Sequence, residues 1–216
     1  MTLLQHCKLS YLGSFFIALG LAFSLADSAS GSNPVINEAN EPLAWLVGDW
    51  QAQFRPLGDD LPAPTMAFTW GDERRSFLRM TGTQPTKAGL VPEYESSVVW
   101  HPVRGKHVFL GVYRSAAGRV MEDGDIDLLG DGIVRLNMRV HYPAGATLPF
   151  SDGQIAGPEG HTLEFRRTFH REGTDGLRGV FRIRRGEAWE NPHPELKMDD
   201  GYPWRRVDGP SAGAGT

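Results

Sequence analysis

From residue 48 onward, apolar and polar positions alternate with a period of two, in short runs separated by Gly, Pro and Asp. Successive strand residues point to opposite faces, so this spacing predicts strands, and the separators supply the turns. Trp50, Ala52 and Phe54 open the series, and Met66, Phe68 and Trp70 alternate after a Pro-rich loop. A run over 77–81 follows, then one over 93–100 with Tyr94, Ser96, Val98 and Trp100 on one side. The turn 102–105 leads into a run over 107–113, so these two form a hairpin. A polar run over 120–128 turns through Gly130, Asp131 and Gly132 into 133–142. There Val134, Leu136, Met138, Val140 and Tyr142 share one face, and Arg135, Asn137, Arg139 and His141 share the other. Leu163, Phe165, Arg167 and Phe169 alternate next, and 177–185 is the last clear strand. Helical periodicity is confined to 37–47, where Leu43, Leu46 and Val47 form an apolar face that Asn37 or Asn40 would cap.

The pattern predicts an all-β fold: eight to ten antiparallel strands after a short N-terminal helix. Short connections favour antiparallel neighbours. Closure into an up-and-down β-barrel removes the edges a meander would leave open, and a barrel of this strand number has room for one small ligand. A two-sheet β-sandwich is the alternative. Which face points inward rests on register, since a slip of one residue exchanges the faces.

The first residues follow a different rule. Lys8 precedes an uncharged run over 11–25, and Ser24 and Ala26 stand at positions −3 and −1 of a cut before Asp27. This is the plan of a Sec signal peptide. The run is shorter than the ~20 residues of a membrane helix, and an uncleaved anchor is the alternative. The expected organisation is a signal peptide at 1–26, a flexible leader at 27–41, the barrel at 42–207 and a disordered tail at 208–216. Cleavage would release a periplasmic or secreted protein with no membrane span.

Composition sharpens that reading. The only cysteine of the 216 residues, Cys7, lies in the segment to be removed, and a cysteine-free chain suits an oxidising compartment. The net charge of −4 would become −5 with the loss of Lys8, which argues against a nucleic-acid partner. Eighteen of the 22 basic residues are Arg and four are Lys, a bias that genomic base composition produces without a functional cause.

The stretch Trp45-Leu46-Val47-Gly48-Asp49-Trp50 resembles the opening of calycin barrels, the lipocalins and their bacterial relatives. In those, a short helix leads into a Gly-x-Trp at the first strand, the Trp plugs one end, and a late Arg or Lys packs over its indole. The resemblance implies that Gly48 and Trp50 close the barrel with Arg205 or Arg206, of which Arg205 is the first choice. The second motif of true lipocalins is not visible, so the outer lipocalin-like groups are the more similar. Val99-Trp100-His101-Pro102 before a Gly turn also looks like bacterial domains of this barrel type. The implied role is carrying or sensing a small hydrophobic or amphipathic molecule. Haem-binding barrels share the plan, but no histidine here is marked out as their axial ligand.

Candidate chemistry is sparse. Asp123, Asp125 and Asp127 would share one strand face, yet the bend Gly and final Glu of a calcium loop are missing. His101 and His107 flank the hairpin turn without a third ligand, and no zinc, P-loop, dinucleotide or Gly-x-Ser-x-Gly pattern occurs. No metal, no cofactor and no catalytic residue is therefore assigned. A basic row is more suggestive. Arg135, Arg139 and His141 share one strand face, and Arg182 and Arg184 share another, with Arg166 and His170 between them. Either this is an outer solvated face offset by acids, or the arginines line the mouth and grip a carboxylate or phosphate. In the second case the apolar part of the ligand would lie among Phe68, Trp70, Val98, Trp100, Phe109 and Phe169.

Three functional readings follow: a ligand-binding barrel, an isomerase or hydrolase on the same scaffold, and a filled barrel acting as a structural module of the envelope. His101, His141 and Glu164 are the residues to suspect in the second. A cavity separates the first two from the third. A His or Glu buried beside it would favour the enzyme, and a uniformly apolar one the carrier.

Overall fold

The computed structural model of the chain describes residues 36–55, 60–115, 118–194 and 199–207. The expected signal peptide, Cys7, most of the leader and the tail lie outside the described residues. A five-residue helix, α1 (Ile36–Asn40), runs into a 3₁₀ turn, Glu41–Leu46, before the first strand. Pro42 stands at the start of that turn, where it removes an N–H and ends the α-helical ladder. The helical segment thus begins inside the stretch read from sequence as leader.

Among the described residues eleven strands follow: β1 (Gly48–Ala52), β2 (Thr65–Trp70), β3 (Phe77–Thr86), β4 (Gly89–His101), β5 (Lys106–Ser115), β6 (Gly118–Gly130), β7 (Ile133–Tyr142), β8 (His161–Glu172), β9 (Gly176–Arg185), β10 (Ala188–Glu190) and β11 (Tyr202–Val207). Consecutive strands β1 to β9 pair antiparallel, and β11 pairs with both β1 and the first residues of β9. Ten strands therefore close into a barrel, as the alternation predicted. Only β10 stands outside the ring, paired with residues 183–185 of β9.

Alternation decides which side is inside. On β7, Val134, Leu136, Met138, Val140 and Tyr142 are buried, and the intervening Arg135, Asn137, Arg139 and His141 face out. The same phase buries Met66 and Phe68, Leu78 and Met80, Tyr94, Ser96 and Val98, and Phe165 and Phe169. The wall has two ends. The helical segment sits at the end where β1 begins, contributing fully buried Leu43 and Leu46.

Closure of that end takes the form the resemblance implies, with one correction. Trp50 is buried, its indole Nε1 donates to the Leu46 carbonyl at 2.8 Å, and the guanidinium over its ring, 4.4 Å from the centroid, belongs to Arg206. Arg205 is not the partner. Register places Trp50 opposite Arg206 and Gln51 opposite Arg205, so Arg205 points away, exposed. Arg206 also donates to the carbonyls of Val47 and, at 3.0 Å, Trp45. It thereby ties the last strand to the end of the helical segment. Gly48 has φ +137°, and a Cβ there would run into the Arg206 guanidinium. Gly48→Ala is expected to lower the unfolding free energy by ~1–3 kcal/mol, read by urea denaturation.

A second latch holds the same end. Asn40 does not cap a helix: no side-chain cap bond forms. Its Nδ2 instead donates to the Arg75 carbonyl at 2.6 Å, and its Oδ1 lies 3.0 Å from Nε2 of buried His107. His107 also meets the edge of Trp100, 5.1 Å between ring centroids. Burial pushes the His107 imidazole below its ordinary 6.5, and a hydrogen bond with the Ala39 backbone pulls the other way. The unfolded chain then takes up this proton first as pH falls, so the latch's contribution is present above about pH 6.5 and shrinks below it. The melting temperature should fall more steeply between about pH 7 and pH 5 in the wild type than in His107→Gln. Equal slopes would place the acid sensitivity elsewhere.

Candidate functional site

At the end opposite the helical segment, the barrel opens into a cavity of about 340 Å³. Among the described residues eighteen line it, of which eight are Phe, Tyr or Trp, Phe54, Phe150, Phe181 and Trp204 among them, and none is Leu, Ile or Val. Met66 and Phe169 form part of the wall, with Phe169 edge-on to buried Phe68 at 5.6 Å. Phe54 packs on Tyr202 and Trp204, 4.9 and 5.7 Å between centroids. The long β7–β8 connection folds back on itself, pairing Thr147 with Ile155, and buries Ala146, Leu148 and Ala156. It carries Phe150 to the cavity, with φ +58°, a left-handed backbone unusual for a bulky residue. The Phe150 carbonyl accepts from Arg185, and its ring stands edge-on to His193, 5.0 Å away.

The polar part of the cavity centres on Arg167. Its guanidinium lies over Tyr94 at 4.8 Å and Phe181 at 5.4 Å. Among the described residues no carboxylate comes within ion-pair distance of it. Burial alone would lower its pKa, but Tyr94, Glu93 and Glu122 outweigh that and raise it. Arg167 is a permanent cation inside an aromatic wall.

Two carboxylates face its field. Glu93 lines the cavity, with the Tyr113 hydroxyl donating to it at 3.4 Å. Burial raises its pKa against the opposing pull of Arg167 and Tyr113. Register explains its position: Gly82 pairs with Tyr94 and Thr83 with Pro92, so β4 carries Glu93 as an extra residue. Such a bulge turns a side chain off the strict alternation, and both Glu93 and Tyr94 reach the cavity. Glu122 is buried deeper. Ser96 donates to its Oε1, while Oε2 and the hydroxyl of nearby buried Tyr142 have no partner among the described residues. Burial raises the Glu122 pKa, Ser96 and Arg167 oppose it, and Glu93 adds to it. Burial and the charge of Glu122 push the Tyr142 phenol up to about 12. Gly111 makes the Ser96–Glu122 bond possible across an intervening strand. It lies opposite both residues, and a Cβ on it would strike the Ser96 hydroxyl.

The residues singled out from sequence lie elsewhere. Arg135, Arg139, His141 and Arg182 are on the outer wall and do not line this cavity. Arg139 and His141 meet Asp123 at 2.5 and 3.1 Å, Arg135 reaches Thr168 at 3.4 Å, and Arg182 donates to the Asp199 carbonyl at 2.6 Å. Of the two placements open to the basic row, the structure has the outer face. The acids of β6 are its counterpart: Asp125 pairs with Lys106 at 2.7 Å, and Asn137 bridges Asp125 and Asp127 at 3.0 and 2.8 Å. Trp70 and Trp100 belong to the closed end, Trp70 under Arg75 at 5.8 Å. Of the six residues expected around the apolar part of a ligand, only Phe169 lines the cavity.

His101 and His107 do not meet, because register pairs them with Lys106 and Trp100 on opposite faces. Glu164 is tied to Arg184 on the outside at 2.5 Å. No cluster of three metal-ligating side chains occurs among the described residues. Arg167, Glu122 and Ser96 had a visible signal: each occupies the apolar phase of its strand.

No family model matches the chain, and no curated protein matches it. Among solved structures, the crystal structure of Rv2717c from M. tuberculosis is similar, with 16% identity over 78% of this chain and 97% of that one and a TM-score of 0.38.

Proposed function

We propose that the protein is an exported, lipocalin-like binding protein that holds a small amphipathic molecule in the open end of its barrel. The carrying observation is Arg167, a guanidinium set in the aromatic wall of a 340 Å³ cavity with no carboxylate at ion-pair distance among the described residues. Such a wall takes the apolar part of a ligand, and the planar fork takes its polar end. The Gly48–Trp50–Arg206 closure supports the calycin resemblance, and the leader pattern supports export. Native mass spectrometry of protein from its own host should show a chain starting at Asp27 with a small molecule bound, and Arg167→Met should lose that molecule. Bare polypeptide in the wild type would count against the carrier.

A second reading has its own observation. A carboxylate in the wall and another buried behind it meet the criterion for acid–base chemistry. On this reading Glu93 moves a proton on the bound molecule while Arg167 holds its polar end. Incubating the co-purified molecule with the protein in D2O should then introduce deuterium at carbon, and Glu93→Gln should stop it. The absence of exchange in the wild type removes the enzyme.

A further inference from the structure

We infer that the cavity takes a compact ring-bearing carboxylate, an aromatic or fused-ring acid, in preference to a straight-chain fatty acid. This rests on the binding reading above and names its ligand class. The segregation of side chains inside the barrel is the first ground. Aliphatic residues are plentiful in the core: Leu78, Val98, Val134, Leu136, Leu177 and Ile183 are all buried. None of them lines the cavity, whose apolar wall among the described residues is aromatic, with Met66 as the exception among open-chain apolar side chains. Flat rings offer faces and edges of opposite partial charge, which a ring in the ligand can match and an alkyl chain cannot. A rigid ring system also loses little rotamer freedom on binding, whereas a chain loses it at every bond.

Gly179 adds to this lining. A Cβ there would make ordinary contacts, 3.4 Å from the Trp204 Nε1 and 3.7 Å from the Phe169 ring. The missing side chain leaves that space, beside two aromatic side chains, to the ligand. The volume of about 340 Å³ is at the small end of ligand cavities, ~300–1,000 Å³, which suits a compact molecule.

The carboxylate follows from Arg167. Its rings, Tyr94 and Phe181, lie against the guanidinium by cation–π contact, and such contacts engage its face. Donors at the edge of the plane match the two oxygens of a carboxylate. The charge of the ligand would also complete the balance of a pocket in which burial disfavours ionised Glu93 and Glu122.

The test is calorimetric titration of the purified full chain with 2-naphthoate, dodecanoate and 2-naphthalenemethanol. Naphthoate is expected to bind more tightly than dodecanoate by about tenfold or more. Arg167→Met should weaken naphthoate by a similar factor and leave the neutral alcohol almost unchanged. Arg167→Lys, which keeps the charge without the fork, should fall between and serves if the Met variant does not fold. Dodecanoate binding as tightly as naphthoate would overturn the ring, and the alcohol binding as tightly as naphthoate would overturn the carboxylate. Failure of all three probes would count against the binding reading itself.

Discussion

Trp50→Ala is expected to cost about 3–5 kcal/mol of folding free energy, the range for removing a large aromatic from a packed interior. Three contacts go at once. The indole fills the closed end against Leu43 and Leu46, donates to the Leu46 carbonyl at 2.8 Å, and carries the Arg206 guanidinium on its face at 4.4 Å. The hydrogen bond ties β1 to the helical segment and the cation–π contact ties it to the final strand, so the damage reaches ring closure as well as packing. Trp50→Phe keeps an aromatic face but loses the N–H and part of the indole volume, so its cost should lie between the ~0.5–1.5 kcal/mol of the hydrogen bond and the cost of Trp50→Ala. Arg206→Ala should weaken the fold substantially, because the Val47 and Trp45 carbonyls lose their donor. Arg205→Ala should change stability by less than about 0.5 kcal/mol, the usual range for exposed positions. A double-mutant cycle between Trp50 and Arg206, followed by urea denaturation, gives the coupling directly. Coupling between Trp50 and Arg205 equal to that with Arg206 would contradict the register.

That off-by-one at Arg206 shows where the sequence is legible and where it is not. Alternation is a local property, so the β7 run from Val134 to Tyr142 could be assigned to a strand and divided into two faces without knowing any partner. The partner of Trp50 depends on how β11 registers against β1, across more than 150 residues of chain. No local pattern carries that information. The closing strand was itself obscured, because Tyr202-Pro203-Trp204-Arg205-Arg206 holds a proline and two charges. Pro203 is tolerated there with its carbonyl accepting from Gln53 at 2.9 Å.

The site divides in the same way. Arg167 and Glu122 could be flagged, since a charge in the apolar phase of a strand must face the interior of a closed barrel. Glu93 could not, because a bulge breaks the phase that would have placed it. Phe150 and His193 arrive on irregular loops with no periodicity to follow. The arginine row on β7 was legible as a face but attractive for the wrong reason: in a closed barrel the polar phase of a wall strand is the outside.

Glu122→Gln is expected to stabilise the protein at neutral and alkaline pH, by about 1–3 kcal/mol if the buried carboxylate bears the usual penalty for an unsatisfied polar group. Oε1 is held by Ser96, but Oε2 has no partner among the described residues, and Glu93 adds repulsion from the cavity side. Gln keeps an acceptor for the Ser96 hydroxyl and turns a donor towards the polar cluster of Glu93 and Tyr142, without a charge. Because burial raises the folded-state pKa of Glu122 above 4.5, the native state binds its proton more tightly than the unfolded chain. Its contribution is therefore fully present below about pH 4.5 and is lost as pH rises through the raised value. The gap between Glu122→Gln and wild type should open as pH increases and close in acid, in thermal melts from about pH 4 to pH 8. This slope is opposite in sign to that of His107, whose contribution is lost as pH falls, so single variants at the two sites separate them. A gap constant with pH would show that Glu122 titrates normally.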